Sequence, residues 1–418
     1  MLTDVTGFGA AGQGAGAMAF IPRCFPIHKR PIINGFLGFA QSLGLVTAPI
    51  IGGALTDAFS WRACFGINVP IGVVAVAITA IWMKEAPHTG LDHDLPIRQK
   101  LQRLDPIGTL LILPCIVCLM MGLQWGGSRY GWGDWRIILL FVLFVALVVG
   151  FAYVQHRQQD KAILPPRILK NRTVLATALY SCCLNGLLAV TEYYIAIYFQ
   201  GVRGYTATRA GILGLPMIAG LALSSILSAF GTTWVGYYTR KSAPDEYLFL
   251  TYAAFMFATS ICAPIATGLL TTIDLDDSPA KVAGLLGFIG VAVGFGIQQP
   301  VTATMTVVSQ KEMSIAIGVL IFGSGIGSAL FVAASATLFQ SRLAEEVSKY
   351  APGTNVTTLG HAGLAEIRKV IGSDRLKDVL FGYNEAVVQT LYLPVGLALL
   401  TVVGSAFTEI KSVKKKRE

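Results

Sequence analysis

The 418-residue chain is 54% hydrophobic and only 13% charged, with a mean hydropathy of +0.63. An ordinary soluble domain carries about 25% charged residues. Too few ionisable side chains are present to cover a water-soluble fold of this length, which excludes a soluble enzyme. The formal charge of +9 would suit nucleic acid, but the basic residues sit in short segments between apolar runs, which excludes that partner as well.

About 20 apolar residues cross a bilayer as a helix. Eleven such runs are predicted, at 5–22, 33–55, 62–83, 106–124, 135–155, 173–199, 208–235, 246–270, 281–308, 314–339 and 386–409. They are too long for strands and lack a period of two, so the fold class is an all-α polytopic bundle. Prolines within them (Pro49, Pro70, Pro114, Pro216, Pro264, Pro300, Pro394) predict kinks. Residues 1–20 lack a basic n-region and do not read as a cleavable signal peptide.

Counting Lys and Arg in alternate loops sets orientation. The segments near 23–30, 84–103, 157–172, 240–241, 311 and 411–417 hold 20, against 6 in the alternate short loops. The richer set, with the tail Lys414–Arg417, is placed in the cytosol. Eleven spans then put the N-terminus outside, an arrangement that points to a missing beginning. The long segment 340–385 falls on the outer side. It holds Asn355-Val356-Thr357, an N-glycosylation pattern, and a stretch at 362–380 with helical apolar spacing. Asn171-Arg172-Thr173 matches the same pattern but lies on the cytosolic side and is expected to stay bare.

Seven cysteines show no disulfide framework, and Cys115-x-x-Cys118 sits in an apolar run with no second pair, so packing is its expected role. The histidines are scattered over loops. No metal site, nucleotide loop or hydrolytic triad is legible, and Gly323-x-Gly325-x-Gly327 has no strand before it. The stripe Gly284, Gly287, Gly290, Gly294 reads as a helix contact.

The second span carries Gly35, eight residues, Gly44, three residues, Ala48-Pro49, two residues, Gly52-Gly53. Small residues at helical spacing admit a close neighbour, and the proline bends the axis. This pattern resembles the antiporter motif of the major facilitator superfamily, with Ala48 where the family has glycine. Asp57, Ser60-Trp61-Arg62, Ile67-Asn68-Val69-Pro70-Ile71-Gly72, Leu104-Asp105-Pro106-Ile107-Gly108, Tyr198-Phe199-Gln200 and Gly296-Ile297-Gln298-Gln299-Pro300 resemble the fourteen-span drug:proton antiporter subgroup, as in fungal multidrug and toxin pumps. Gly236–Lys241 resembles a degenerate copy of that family's charged loop motif.

The resemblance implies about 11 of 14 spans. Residues 1–84 are the remnant of an N-terminal half-bundle with three spans. Residues 85–160 are a cytosolic linker and two extra spans, and 161–418 form a C-terminal half-bundle of six. An arginine usual in the family is replaced by Thr3, and with the absent spans this leads to an expectation of impaired transport. The implied function is export of a drug, toxin or secondary metabolite by proton antiport, without an enzyme activity or a cofactor other than the proton gradient. The partners are the bilayer, a small-molecule substrate and protons, and the chain is expected to be monomeric. Plasma membrane is the first choice of location and the vacuolar membrane the second. A siderophore or other small-molecule importer of the same superfamily, and a non-transporting remnant of a mispredicted gene, are the alternatives.

Buried polar groups within spans mark function by default. Glu192 is the acidic residue well inside a span. It reads as a proton or cation group of the pathway, or as a vestibule residue with a structural partner. Tyr193 and Tyr194 line the same cavity or serve the interfacial belt. Gln298 and Gln299 precede Pro300 in mid-span, one to meet substrate and the other to bond a neighbouring helix. Gln41, Asn68 and Asn185 are weaker candidates, with helix–helix hydrogen bonding as the bland role. Asp57 and Arg62 read as fixing helix ends.

Overall fold

The computed structural model describes residues 30–82, 105–127, 129–159, 164–242, 251–309, 312–352 and 376–408, with a few isolated positions elsewhere. The predicted first span at 5–22, Asn355, segment 84–103 and the basic tail lie outside the described residues, isolated positions apart.

Polar caps set several helix starts. Asp134 Oδ1 accepts from the Arg136 amide at 2.9 Å, and Asn171 Oδ1 from the Thr173 amide at 3.1 Å. Ser278 caps a helix whose first residue is Pro279, where a missing N–H is harmless. The cap role of Asn171 gives that side chain a structural use.

In chain order the helices are α1 (Arg30–Ala58), α2 (Ala63–Gly66), α3 (Asn68–Trp82), α4 (Pro106–Trp125), α5 (Trp135–Gln158), α6 (Pro166–Leu169) and α7 (Arg172–Ile197). A π-helical turn, Tyr198–Val202, continues α7. Then come α8 (Ala207–Ser242), α9 (Thr251–Leu270), α10 (Pro279–Gly294), α11 (Gln299–Val307), α12 (Met313–Tyr350), α13 (Leu376–Thr390) and α14 (Tyr392–Phe407). No strand occurs among the described residues, beyond one isolated bridge between Gly126 and Tyr130.

Nine helical stretches among the described residues are long and apolar enough to cross a membrane. With α1 they fall on ten of the eleven predicted runs. The all-α polytopic bundle is thus the observed architecture.

Four boundaries differ from the sequence reading. The run at 62–83 is split into α2 and α3. The run at 281–308 breaks at Phe295–Gln298, and Pro300 opens the second piece instead of kinking a continuous helix. The long segment 340–385 is helical at both ends, because α12 runs on to Tyr350 and α13 starts at Leu376. At about 1.5 Å per residue α12 is roughly 57 Å long, against about 30 Å of hydrocarbon. Its last turns therefore stand clear of the membrane core and can carry charge. Lastly, Gly236–Lys241, read as part of a loop, continues α8 as helix.

The interior is built around α7, which packs along α12 and α14, while α8 packs along both α10 and α1. Leu184, Leu187, Met256, Leu286 and Ile289 are fully buried at its centre. Glycine makes the closest crossings. A side chain on Gly290 would meet the Met217 carbonyl, and one on Gly327 the Cys182 carbonyl. These backbones touch only because no Cβ intervenes. Asn185 Nδ2 donates to Ser181 O at 2.9 Å and to Ser324 Oγ at 3.3 Å, the helix–helix role expected of it. Cys115 is buried, its Sγ 3.9 Å from the Phe144 carbonyl, so this thiol is a packing group. By contrast, α3 turns none of its residues into the molecule.

Candidate functional site

A cavity of about 380 Å³ is lined by residues of α1, α7, α8 and α10, with α1 packed along α8. Helix α1 contributes Ala48, Gly52, Gly53 and Thr56. Helix α7 contributes Glu192, Ile195 and Ala196, and the π turn adds Gln200. The opposite wall is the first three turns of α8, from Ala207 to Ile218, with Leu286 of α10 behind it.

The walls follow from residue size. A Cβ on Gly53 would stand 2.8 Å from Thr208 Cα and 2.9 Å from its amide nitrogen. Glycine there brings the backbones of α1 and α8 together, which closes one side of the cavity. Nothing lies within 4 Å of a Cβ on Gly52 or Gly44, so the motif is not uniformly a contact strip. Ala48, the departure from the motif, has its methyl on the cavity wall, and alanine in place of glycine narrows the space without closing it. Gly35 and Pro49 lie in helical backbone, and their side-chain surroundings fall outside the described residues.

Glu192 is exposed to this cavity and is the ionisable residue among the described residues lining it. The surrounding lining is mostly Ala, Gly, Ile, Leu and Met. A carboxylate in such a setting is costly to desolvate when charged, and protonation removes that cost.

The other candidates are placed elsewhere. Tyr194 is 1% exposed, its ring 5.4 Å from Phe339, so it belongs to the core and not to the cavity. Two helical steps from Glu192 rotate it by about 200°, to the far side of α7. Tyr193 is half exposed and meets Tyr194 edge-on. Gln298 and Gln299 sit at the break between α10 and α11, away from the cavity. The Gln298 amide lies against Gly38 of α1, 2.8 Å from where a Cβ would be. Gln299 is 2% exposed, and its Oε1 has no hydrogen-bond partner among the described residues. Gln41 and Asn68 are exposed, on α1 and at the start of α3, and neither lines the cavity. Arg62 lies over the Trp61 ring at 4.6 Å. The side chain of Asp57 is outside the described residues.

Sequence reasoning does not single out two further side chains. Gln200 closes the Tyr198-Phe199-Gln200 motif, and the π turn that aims it into the cavity has no sequence signature. Glu346, 5% exposed, accepts from Gln389 Nε2 at 2.9 Å and lies 3.6 Å from Lys349. It was hidden by the loop reading of 340–385. The spacing of Phe339, Leu343 and Val347 could have extended the helix and exposed it.

The sequence profile of the Major Facilitator Superfamily matches residues 5–332. The chain belongs to the major facilitator superfamily. Its relatives within the superfamily include the efflux pump roqT of Penicillium rubens, 37% identical over 413 residues, covering 99% of this chain and 74% of the relative. The MFS-type efflux pump MFS1 of Arthroderma benhamiae is 36% identical, with 99% and 74% covered. The MFS-type transporter astH of Aspergillus oryzae is 36% identical, with 99% and 70% covered. As a member of the superfamily the chain is an integral, multi-pass membrane transporter of small molecules and not an enzyme.

Proposed function

We propose that this major facilitator protein exports small organic molecules in exchange for protons, with Glu192 as the group that alternately binds and releases the proton. One observation carries the reading: Glu192 shares a cavity with Ala48, Gly52 and Gly53 of the antiporter motif. A carboxylate facing an apolar cavity favours its neutral form when the cavity is dry and its charged form when water enters. Alternating exposure of the cavity would therefore load and unload the proton.

In this reading residues 1–84 and 161–418 rock against each other, and 85–160 is the linker with its two extra spans. The Gly53–Thr208 contact between α1 and α8 lies on the seam between the two bodies. The excess of basic residues in one set of loops supports a cytosolic C-terminus. In that orientation the cavity would fall in the outer half of the pathway. A monomer in the plasma membrane, driven by the proton gradient without a bound cofactor, completes the proposal.

The test is efflux from proteoliposomes under an imposed pH gradient, with Glu192→Gln beside the wild type. The variant should lose the dependence on the gradient, at least tenfold in initial rate, while keeping its helical circular dichroism. Gradient-driven efflux by Glu192→Gln at the wild-type rate would remove Glu192 from the coupling step.

A further inference from the structure

The cavity wall supplied by α7 contains an exchange of one side chain for another. From Glu192 the face of a straight α-helix continues through Ile195, Ala196 and Phe199, at steps of three, four and seven residues. Ile195 and Ala196 do line the cavity, but Phe199 does not. It is 1% exposed and buried in the core, and Gln200 takes its place on the wall. In an unbroken α-helix Gln200 would lie about 80° away from Glu192.

The reason is the π turn. The Arg203 amide bonds to the Tyr198 carbonyl at 3.0 Å, a spacing of five residues. Each residue of the wider turn advances less around the axis, which returns Gln200 towards the Glu192 face and turns Phe199 inward. The turn is held from outside the helix. Tyr198 donates its hydroxyl to the Asp274 carbonyl at 2.9 Å. The Arg203 guanidinium donates to the Leu275 carbonyl, and to the Asp277 carbonyl at 2.7 Å. Phe199 stacks on Tyr205, ring centroids 6.3 Å apart.

The geometry points to Gln200 as a substrate-contacting residue that sets which molecules this cavity accepts. Resting on the transport reading above, this inference adds a substrate class. Gln200 both donates and accepts hydrogen bonds. It stands about 12 Å along the helix axis from Glu192, with apolar wall between them. The matching ligand is an apolar skeleton carrying a carbonyl, amide or hydroxyl at the end that meets Gln200. With phenylalanine in that place this end of the α7 wall would offer no hydrogen bond. Tyr198 and Arg203 are positioning residues, acting through the turn.

The experiment uses the full chain purified in detergent, with Gln200→Cys and Phe199→Cys compared for modification by N-ethylmaleimide. Mass mapping separates the new thiol from the native ones. Val202→Cys, also at a buried position, serves as the buried control if Phe199→Cys does not fold. Gln200→Cys should react at least tenfold faster than either control. Nile red, a ring system with a carbonyl at one end, should slow that reaction. In binding, Gln200→Leu should raise the Kd for Nile red about tenfold, the loss of one hydrogen bond, and Gln200→Asn should recover most of it. Equal labelling rates, labelling indifferent to Nile red, or an unchanged Kd in Gln200→Leu overturns the assignment. Efflux that ignores the pH gradient, with fast and protected labelling at position 200, would sink the proton reading and leave this one standing. Equal labelling in a chain whose efflux follows the gradient would do the reverse.

Discussion

At the scale of single residues, the glycines divide by what a methyl group would meet. Gly290 faces the Met217 carbonyl across the crossing of α8 and α10, and backbone cannot yield as a flexible side chain can. Gly284, on the same helix and in the same sequence stripe, has nothing within 4 Å. Gly290→Ala should therefore destabilise the protein by about 1–3 kcal/mol, as overpacking does. Gly284→Ala should stabilise it by about 0.5–1 kcal/mol, by restricting the unfolded chain. Thermal unfolding of the two variants in one detergent checks the opposite signs. The sequence showed four glycines at helical spacing and read them as one contact. It could not show that the stripe drifts off the contact before its first member.

At the scale of elements, the loop between α9 and α10 governs how α7 ends. Its shape depends on Asp277, which accepts two bonds from Lys281 Nζ, at 2.9 and 2.7 Å, and one from the Asp274 amide at 2.9 Å. The Lys281 bonds, with the Asp274 amide, hold the Asp277 carboxyl below the usual carboxylate range. Because the folded value is the lower one, the stabilisation is complete above the ordinary aspartate value of about 3.9 and is lost as pH falls through the depressed value. Asp277→Asn should melt lower than wild type at pH 7, and the difference should close as pH falls through the depressed Asp277 value. A melting difference that persists unchanged at low pH would show that the carboxylate charge is not what shapes the loop. Hydropathy placed the two helix ends that flank this loop, Leu270 and Pro279, within a few residues. The anchoring of the π turn was hidden, because carbonyls of a short loop carry no residue-type signal.

At the scale of the whole molecule, the pair α4–α5 is fastened to the chain that follows it at two levels. Near one end Thr337 Oγ1 of α12 donates to the Leu123 carbonyl at 2.7 Å. At the other, Asp105 is 1% exposed in a left-handed backbone conformation with φ of 46°. Its carboxylate accepts from the Gly108 amide at 2.8 Å and from Gln155 Nε2 at 2.6 Å, and Gln155 Oε1 accepts from the Leu164 amide at 2.9 Å. That chain of bonds joins α4, α5 and the segment leading into α7. Removing one member leaves buried donors unsatisfied, at about 1–3 kcal/mol each. Asp105→Ala should loosen the pair from the bundle, seen as faster hydrogen exchange in 106–158 with α7 unchanged. Exchange that rises equally in α7 would mean that α4–α5 and α7 unfold as one unit instead.

Composition and run length determined the solvent of this protein and the order of its described spans, and the small-residue and proline motifs pointed to its superfamily. Those properties are local, since transfer of apolar side chains and backbone hydrogen bonding act segment by segment. The tertiary structure decided the rest. It brought Glu192 of α7 beside Gly53 of α1, sent Tyr194 to the core, broke one predicted span at Phe295–Gln298 and exchanged Phe199 for Gln200 on a cavity wall. Each of these depends on which backbones can approach and which loop carbonyls meet a helix end, quantities that arise only when distant segments pack together.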